Sequence, residues 1–114
     1  LFTEKAAAGL YSTAEDYAVF LNANIDGFRG NGILPRQSFE KMFTKINDIY
    51  GLGWGIVDLE NGERVVEHAG ANYGWKSYSA FIPERGDGIV ILTNSDRGMS
   101  FYGDLANVWY KSKG

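Results

Sequence analysis

Cysteine is absent from the 114-residue chain, which excludes disulfides, iron–sulfur clusters and thiolate zinc sites. A single histidine excludes a metal centre built on several imidazoles of this chain alone. No apolar stretch approaches the roughly 20 residues of a membrane-spanning helix. No basic start followed by an apolar core marks a signal peptide. Charge of one sign is not concentrated anywhere: 11 basic and 14 acidic residues give a net charge of −3. A phosphate-backbone binder needs a basic run, so no nucleic-acid partner is expected. No glycine-rich loop ends in the lysine and hydroxyl that cradle a nucleotide phosphate. Neither cofactor nor metal is expected, and there is no internal repeat or low-complexity tract.

What is present fits one globular domain or less. Hydrophobic residues make up 45% and charged residues 22%, close to the soluble average, which argues against disorder. Glycine is abundant, 15 of 114 residues, against a usual share of about 7%. Aromatics reach 15%. Many glycines among many aromatics suit a packed sheet with tight turns.

The chain divides near residue 50. Residues 1–48 read as a helical segment and 49–114 as an antiparallel sheet plus a C-terminal helix. Ser12-Thr13-Ala14-Glu15 has the spacing of a capping box. Ala14, Tyr17, Ala18, Leu21 and Ile25 then recur at helical spacing, which predicts a helix over about 13–25 with Gly27 as its stop. Leu34-Pro35 opens a second helix. Phe39, Met42, Phe43 and Ile46 form its apolar face, and it should end between Lys45 and Asn47. In Gly51–Val57, Leu52, Trp54 and Ile56 share one face of an extended chain. Asn61-Gly62 is a two-residue hairpin signal leading into Arg64–His68. Ala69–Gly74 reads as a loop. Trp75–Ile82 carries large apolar residues on both faces and reads as a strand covered on both sides. Pro83–Gly88 is a turn, and Ile89–Leu92 reads as a central strand. Phe101, Leu105, Val108 and Trp109 form the stripe of a terminal amphipathic helix laid on the sheet. The short connections require antiparallel pairing. The fold class expected is therefore α+β, an antiparallel sheet with a C-terminal helix packed on it and two N-terminal helices.

Three features could carry chemistry. Ser38-Phe39-Glu40-Lys41 matches S-x-x-K, in which a lysine one helical turn after a serine can activate its hydroxyl. A four-residue pattern with two fixed positions arises often by chance, and it reads first as a surface pair on a capped helix. Asp58 and Glu60 share a strand face, as a glycosidase pair would, yet a solvated hairpin end explains them as well. His68-Ala69-Gly70 stands apart. A lone strand histidine is ordinarily a hydrogen-bonded structural residue. Here small residues follow it, and such a strand end can present both a polar side chain and free N–H groups to a substrate carbonyl.

The segment His68–Arg85 followed by Gly88-Ile89-Val90-Ile91-Leu92-Thr93-Asn94 resembles the C-terminal region of serine β-lactamases and penicillin-binding proteins. It is most similar to class C β-lactamases and their D-alanyl carboxypeptidase and esterase relatives. Gly9–Asp16 and Tyr50–Gly55 resemble further blocks of that family, in the same order. The resemblance implies a partial β-lactamase/transpeptidase-like fold. It also implies a serine acyl-enzyme mechanism on a lactam, a D-amino-acid peptide or an ester. In that family a serine of S-x-x-K is acylated, a tyrosine of Y-x-N assists proton transfer, and K-T-G or H-x-G lies on a strand lining the cleft. His68-Ala69-Gly70 matches the last motif in its histidine form, which looks more like the carboxypeptidases and esterases than the true lactamases. The resemblance implies a catalytic role for His68 and an oxyanion-hole and substrate-binding role for Ala69, Gly70 and Ala71. The backbone N–H of Ala71 would be one oxyanion donor, and Gly70 would let the substrate backbone approach.

This chain contains no Tyr-x-Asn, and its one S-x-x-K stands where the family has a non-catalytic helix. The nucleophile and tyrosine are therefore expected upstream of Leu1. The chain is expected to be a C-terminal fragment of one larger catalytic domain, inactive alone, with an upstream segment carrying S-x-x-K and Y-x-N as its partner. Lacking the family's N-terminal strands, it should expose a strand edge. Family resemblance implies a periplasmic, secreted or membrane-tethered location. The competing reading is a non-catalytic α+β binding module that kept the fold without the chemistry.

Overall fold

The computed structural model describes residues 7–112, so positions 1–6 and 113–114 of the two expected segments lie outside it. The first helix, α1, runs Ala14–Phe28. Its cap falls one residue later than the sequence pattern suggests: Thr13 accepts from the Asp16 N–H at 3.1 Å. Gly27 does not stop it. The Phe39 ring occupies the place where a Gly27 Cβ would stand, so glycine there admits the next helix. Gly30, at φ +94°, ends α1 instead. Its N–H donates to Gly27 O at 3.0 Å and that of Asn31 to Asp26 O at 2.9 Å, the paired closure of a Schellman motif.

The second helix, α2, is shorter than expected, Arg36–Met42, with Pro35 as the residue before its first turn. The Met42 carbonyl accepts from the Leu52 N–H at 3.0 Å, and the Ile46 N–H donates to Tyr50 O at 2.8 Å. These bonds turn the chain out of the helix and leave Ile46 exposed.

Four strands follow: β1 Gly55–Asp58, β2 Arg64–Asn72, β3 Trp75–Ile82 and β4 Asp87–Thr93. They pair antiparallel in the order β1-β2-β3-β4. Ile89–Leu92, expected as a central strand, thus lies at the sheet's edge among the described residues. β1 is short because Gly53 adopts φ +81°. That turns Leu52 outward while Trp54 and Ile56 stay buried. The β1–β2 connection is a three-residue loop rather than a two-residue turn. Leu59 and Glu63 bond across it, and Gly62 closes it at φ +84°, the arrangement of a type I turn with a bulge.

The last helix, α3, spans Gly98–Ser112. The two helical layers sandwich the sheet. On one face Leu21, Ile25 and Phe28 of α1 and Phe39 and Phe43 around α2 pack on Trp54, Ile56, Val66 and Phe81. On the other face Val65, Ala80 and Ile82 pack with Tyr78, Ile89 and Trp109. β3 is covered on both sides at Ala80–Ile82, as its sequence predicts. α3 departs from its expected stripe. It meets the sheet through buried Gly98, through Tyr102 stacked on Tyr78 at 5.0 Å, and through half-buried Trp109. Phe101 and Val108 are 57% and 65% exposed, and Leu105 is exposed too.

Candidate active site

The expected loop Ala69–Gly74 is strand up to Asn72. Only Tyr73 and Gly74, with Gly74 at φ +77°, form the turn. β2 pairs with β3 along this length: His68 opposite Ser79, Gly70 opposite Ser77, Asn72 opposite Trp75. β1 pairs only with Arg64 to Glu67. From His68 onward one edge of β2 therefore has no neighbouring strand among the described residues.

The direction of each amide follows from the ladder. The Leu59 N–H donates to Glu63 O at 2.8 Å, so hydrogen-bonding pairs fall at Val57–Val65 and Gly55–Glu67. Odd-numbered residues of β2 thus turn their N–H groups away from β3. Beyond the end of β1, the N–H groups of Ala69 and Ala71 point from the bare edge. Both residues are exposed. Each N–H is an unpaired, oriented donor of the kind an oxyanion uses, but two residues apart on one strand they lie about 7 Å from each other and serve separate acceptors.

His68 lies beside this edge, on the sheet face that also carries Val66, Gly70, Ser77 and Ser79. Its ring is exposed and meets the edge of Trp54 at 6.4 Å with planes 86° apart, a favourable aromatic geometry. Trp54 is itself held at 90° against Phe81, 5.3 Å away. The core thus reaches the histidine through one buried indole. Gly70 is crowded from its neighbour strand: a Cβ there would fall well inside van der Waals contact of Ser77 Oγ.

The tip of the β2–β3 hairpin is clamped. Asp96, in the turn before α3, accepts from the Gly74 N–H at 2.7 Å and from Lys76 Nζ at 3.3 Å, while Lys76 Nζ also donates to Asn72 O at 2.8 Å. The Gly74 amide, then the Lys76 ammonium, hold the Asp96 carboxyl below its ordinary range. On the opposite face Tyr78 donates to Glu67. Burial first, and that carboxylate second, push the Tyr78 phenol well above its ordinary value, so it remains a donor.

The other candidates are not brought to this place. Asp58 pairs with Lys45 at 2.8 Å, and Glu60 sits in the hairpin loop. Ser38 is half-buried on α2, and Lys41 lines a shallow surface depression with Gln37, Glu40, Thr44, Ile46 and Leu52. Among the described residues no group of three His, Asp or Glu side chains could hold a metal ion. No described helix is long and apolar enough to cross a membrane. The contacts of Trp54 and Ser77 with this region were not visible as site features in the sequence. The alternation that places Ser77 with Ser79 and Phe81 is legible, but the part of β2 opposite it, Ala69–Asn72, carries no strand pattern of its own.

A β-lactamase family model matches residues 2–110. The chain belongs to the β-lactamase family. Among solved structures, this β-lactamase-family chain is similar to the octameric penicillin-binding protein homologue from Pyrococcus abyssi, at 29% identity and a TM-score of 0.59. The likeness covers 76% of this chain and 22% of that one, so the chain spans about a fifth of the length of the protein it resembles. No curated protein sequence matches it.

Proposed function

We propose that this chain supplies the sheet side of the catalytic cleft of a serine hydrolase. The nucleophilic serine and proton-transferring tyrosine lie on an upstream segment of the same protein. In this reading His68 faces the acylated serine from the strand and hydrogen-bonds substrate or the tyrosine. The N–H of Ala71 joins that of the nucleophile in holding the oxyanion, while Ala69 and Gly70 line the path of the substrate. The family's exported or membrane-tethered location is proposed with it. The observation that carries the reading is the bare edge of β2. It starts at His68, aims two unpaired N–H groups outward, and belongs to a β-lactamase-family chain. A strand edge of this kind also suits an extended acyl donor, which can add to it through main-chain bonds.

The test is steady-state hydrolysis of a chromogenic lactam and a nitrophenyl ester by the full-length protein, with a melting curve for each variant. His68→Ala should lower turnover by 10²-fold or more, the order expected when a positioned proton-transfer group is lost, and should still fold, because the ring is exposed. Full activity in His68→Ala would remove it from the site. A variant that fails to fold would make it a structural partner of Trp54.

A further inference from the structure

The ring of His68 makes no hydrogen bond and no ion pair among the described residues, and its one aromatic contact is the indole of Trp54. An exposed strand side chain divides itself between two common χ1 wells. An imidazole that meets a substrate in one orientation needs a partner that selects the well. Trp54 is built as such a partner. It is only 7% exposed. Phe81 stands at right angles to its indole, and Phe20 of α1 lies nearly parallel to it, 6.1 Å away with planes 18° apart. The main chain around it is pinned as well. The Gly51 N–H donates to Trp54 O at 2.8 Å, and the Ile56 N–H donates to Ile49 O at 2.8 Å. The indole is therefore fixed from three sides, whereas the imidazole is exposed and free to turn. Val66, two residues earlier on the same face, is fully buried. The core thus ends at Trp54, and the open part of the strand begins with the ring it touches.

We propose that Trp54 is a positioning residue: its indole, fixed by Phe20 and Phe81, holds the His68 ring at right angles in the one rotamer that serves the bare edge of β2. Trp54 acts through His68 and not on the substrate. An aromatic pair of this geometry biases one rotamer by up to about tenfold, and a group held ready in its reacting orientation passes that factor on to the rate. This rests on the hydrolase reading above and adds to it the residue that orients its histidine.

The experiment measures kcat and KM of the full-length protein on a chromogenic lactam and on p-nitrophenyl acetate. Wild type, Trp54→Leu and Trp54→Phe are compared, each alone and combined with His68→Ala, with a melting curve for every variant. Trp54→Leu should lower kcat about tenfold and leave KM within about twofold, because it removes orientation and not substrate binding. Trp54→Phe keeps a ring against Phe81 and should lower kcat only about threefold. In the His68→Ala background neither substitution should cost more than about twofold, since no ring remains to be oriented, whereas independent effects would multiply. If Trp54→Leu does not fold, the phenylalanine variant decides by the same criterion. An equal cost in both backgrounds, or wild-type kcat in a folded Trp54→Leu, would overturn the assignment and leave the hydrolase reading standing. Failure of both variants to fold would make Trp54 a core residue alone and overturn it too. A His68→Ala protein as active as wild type would overturn it together with the role of His68. A wild type inert toward both substrates would overturn it together with the hydrolase reading.

Discussion

Ala71 is the residue at which backbone chemistry and side-chain chemistry separate most cleanly. Its methyl group contributes little to the proposed role, and its N–H everything. Ala71→Ser should leave turnover of the full-length protein within about twofold. Ala71→Pro removes the donor and should cost about 10²–10³ in kcat, the range found when a single oxyanion donor is lost. Because the Ala71 N–H points away from β3, the proline removes no bond of the β2–β3 ladder. The substitution should therefore spare the fold far better than proline at Gly70, whose amide faces β3. Steady-state kinetics with a melting curve for each variant separates the two effects. Equal losses for serine and proline at position 71 would show that the side chain matters and that the N–H does not.

At the scale of elements, α3 shows what a helical stripe can and cannot announce. The sequence places Phe101, Leu105, Val108 and Trp109 on one side, and only Trp109 reaches the sheet. The helix is rotated so that Gly98, Tyr102 and Trp109 face inward. Gly98 explains the rotation. A Cβ there would collide with Thr93 and Lys76, so the backbone itself sets the approach and Tyr102 follows onto Tyr78. Trp109→Ala should cost about 2 kcal/mol, roughly half the usual price of a fully buried aromatic. That lowers the thermal midpoint by about 10 °C in a domain of this size. Leu105→Ala should stay within about 0.5 kcal/mol, as exposed substitutions do. A leucine effect matching that of the tryptophan, read from thermal or urea unfolding of the two variants, would mean that the outer stripe is packed after all.

The same contrast explains which parts of the fold were legible. Helix α1, the strand character of Trp75–Ile82 and the α+β class follow from local periodicity, which the chain obeys. The end of α1 does not. Gly27 carries the stop signal, but its missing Cβ serves the Phe39 ring, and the stop falls to Gly30. Residues Ala69 to Asn72 look like a loop because they are small and non-alternating, and they are strand because β3 supplies a full ladder of partners. The candidate site was legible as His68 and its three followers through a family resemblance. The direction of the Ala69 and Ala71 amides, the Trp54 edge and the Ser77 hydroxyl depend on register, which no single segment encodes.

At the scale of the whole molecule, the proposal makes the described chain one side of a site. The N–H groups of Ala69 and Ala71 turn away from β3, residue His68 beside them is exposed, and the local Ser38 and Lys41 lie on α2 without joining them. The stripe of Phe101, Leu105 and Val108 adds exposed apolar surface on the opposite side, of the kind that marks contact with further polypeptide. The central claim, that this strand edge serves a serine borne elsewhere on the protein, is open to one direct measurement. The full-length protein and the isolated 114-residue chain are each incubated with a β-lactam, digested, and examined by mass spectrometry for the acylated peptide. The account predicts an adduct in the full-length protein on a serine upstream of Leu1, and none in the isolated chain. An adduct on Ser38, or a full-length protein that is never acylated, would contradict it.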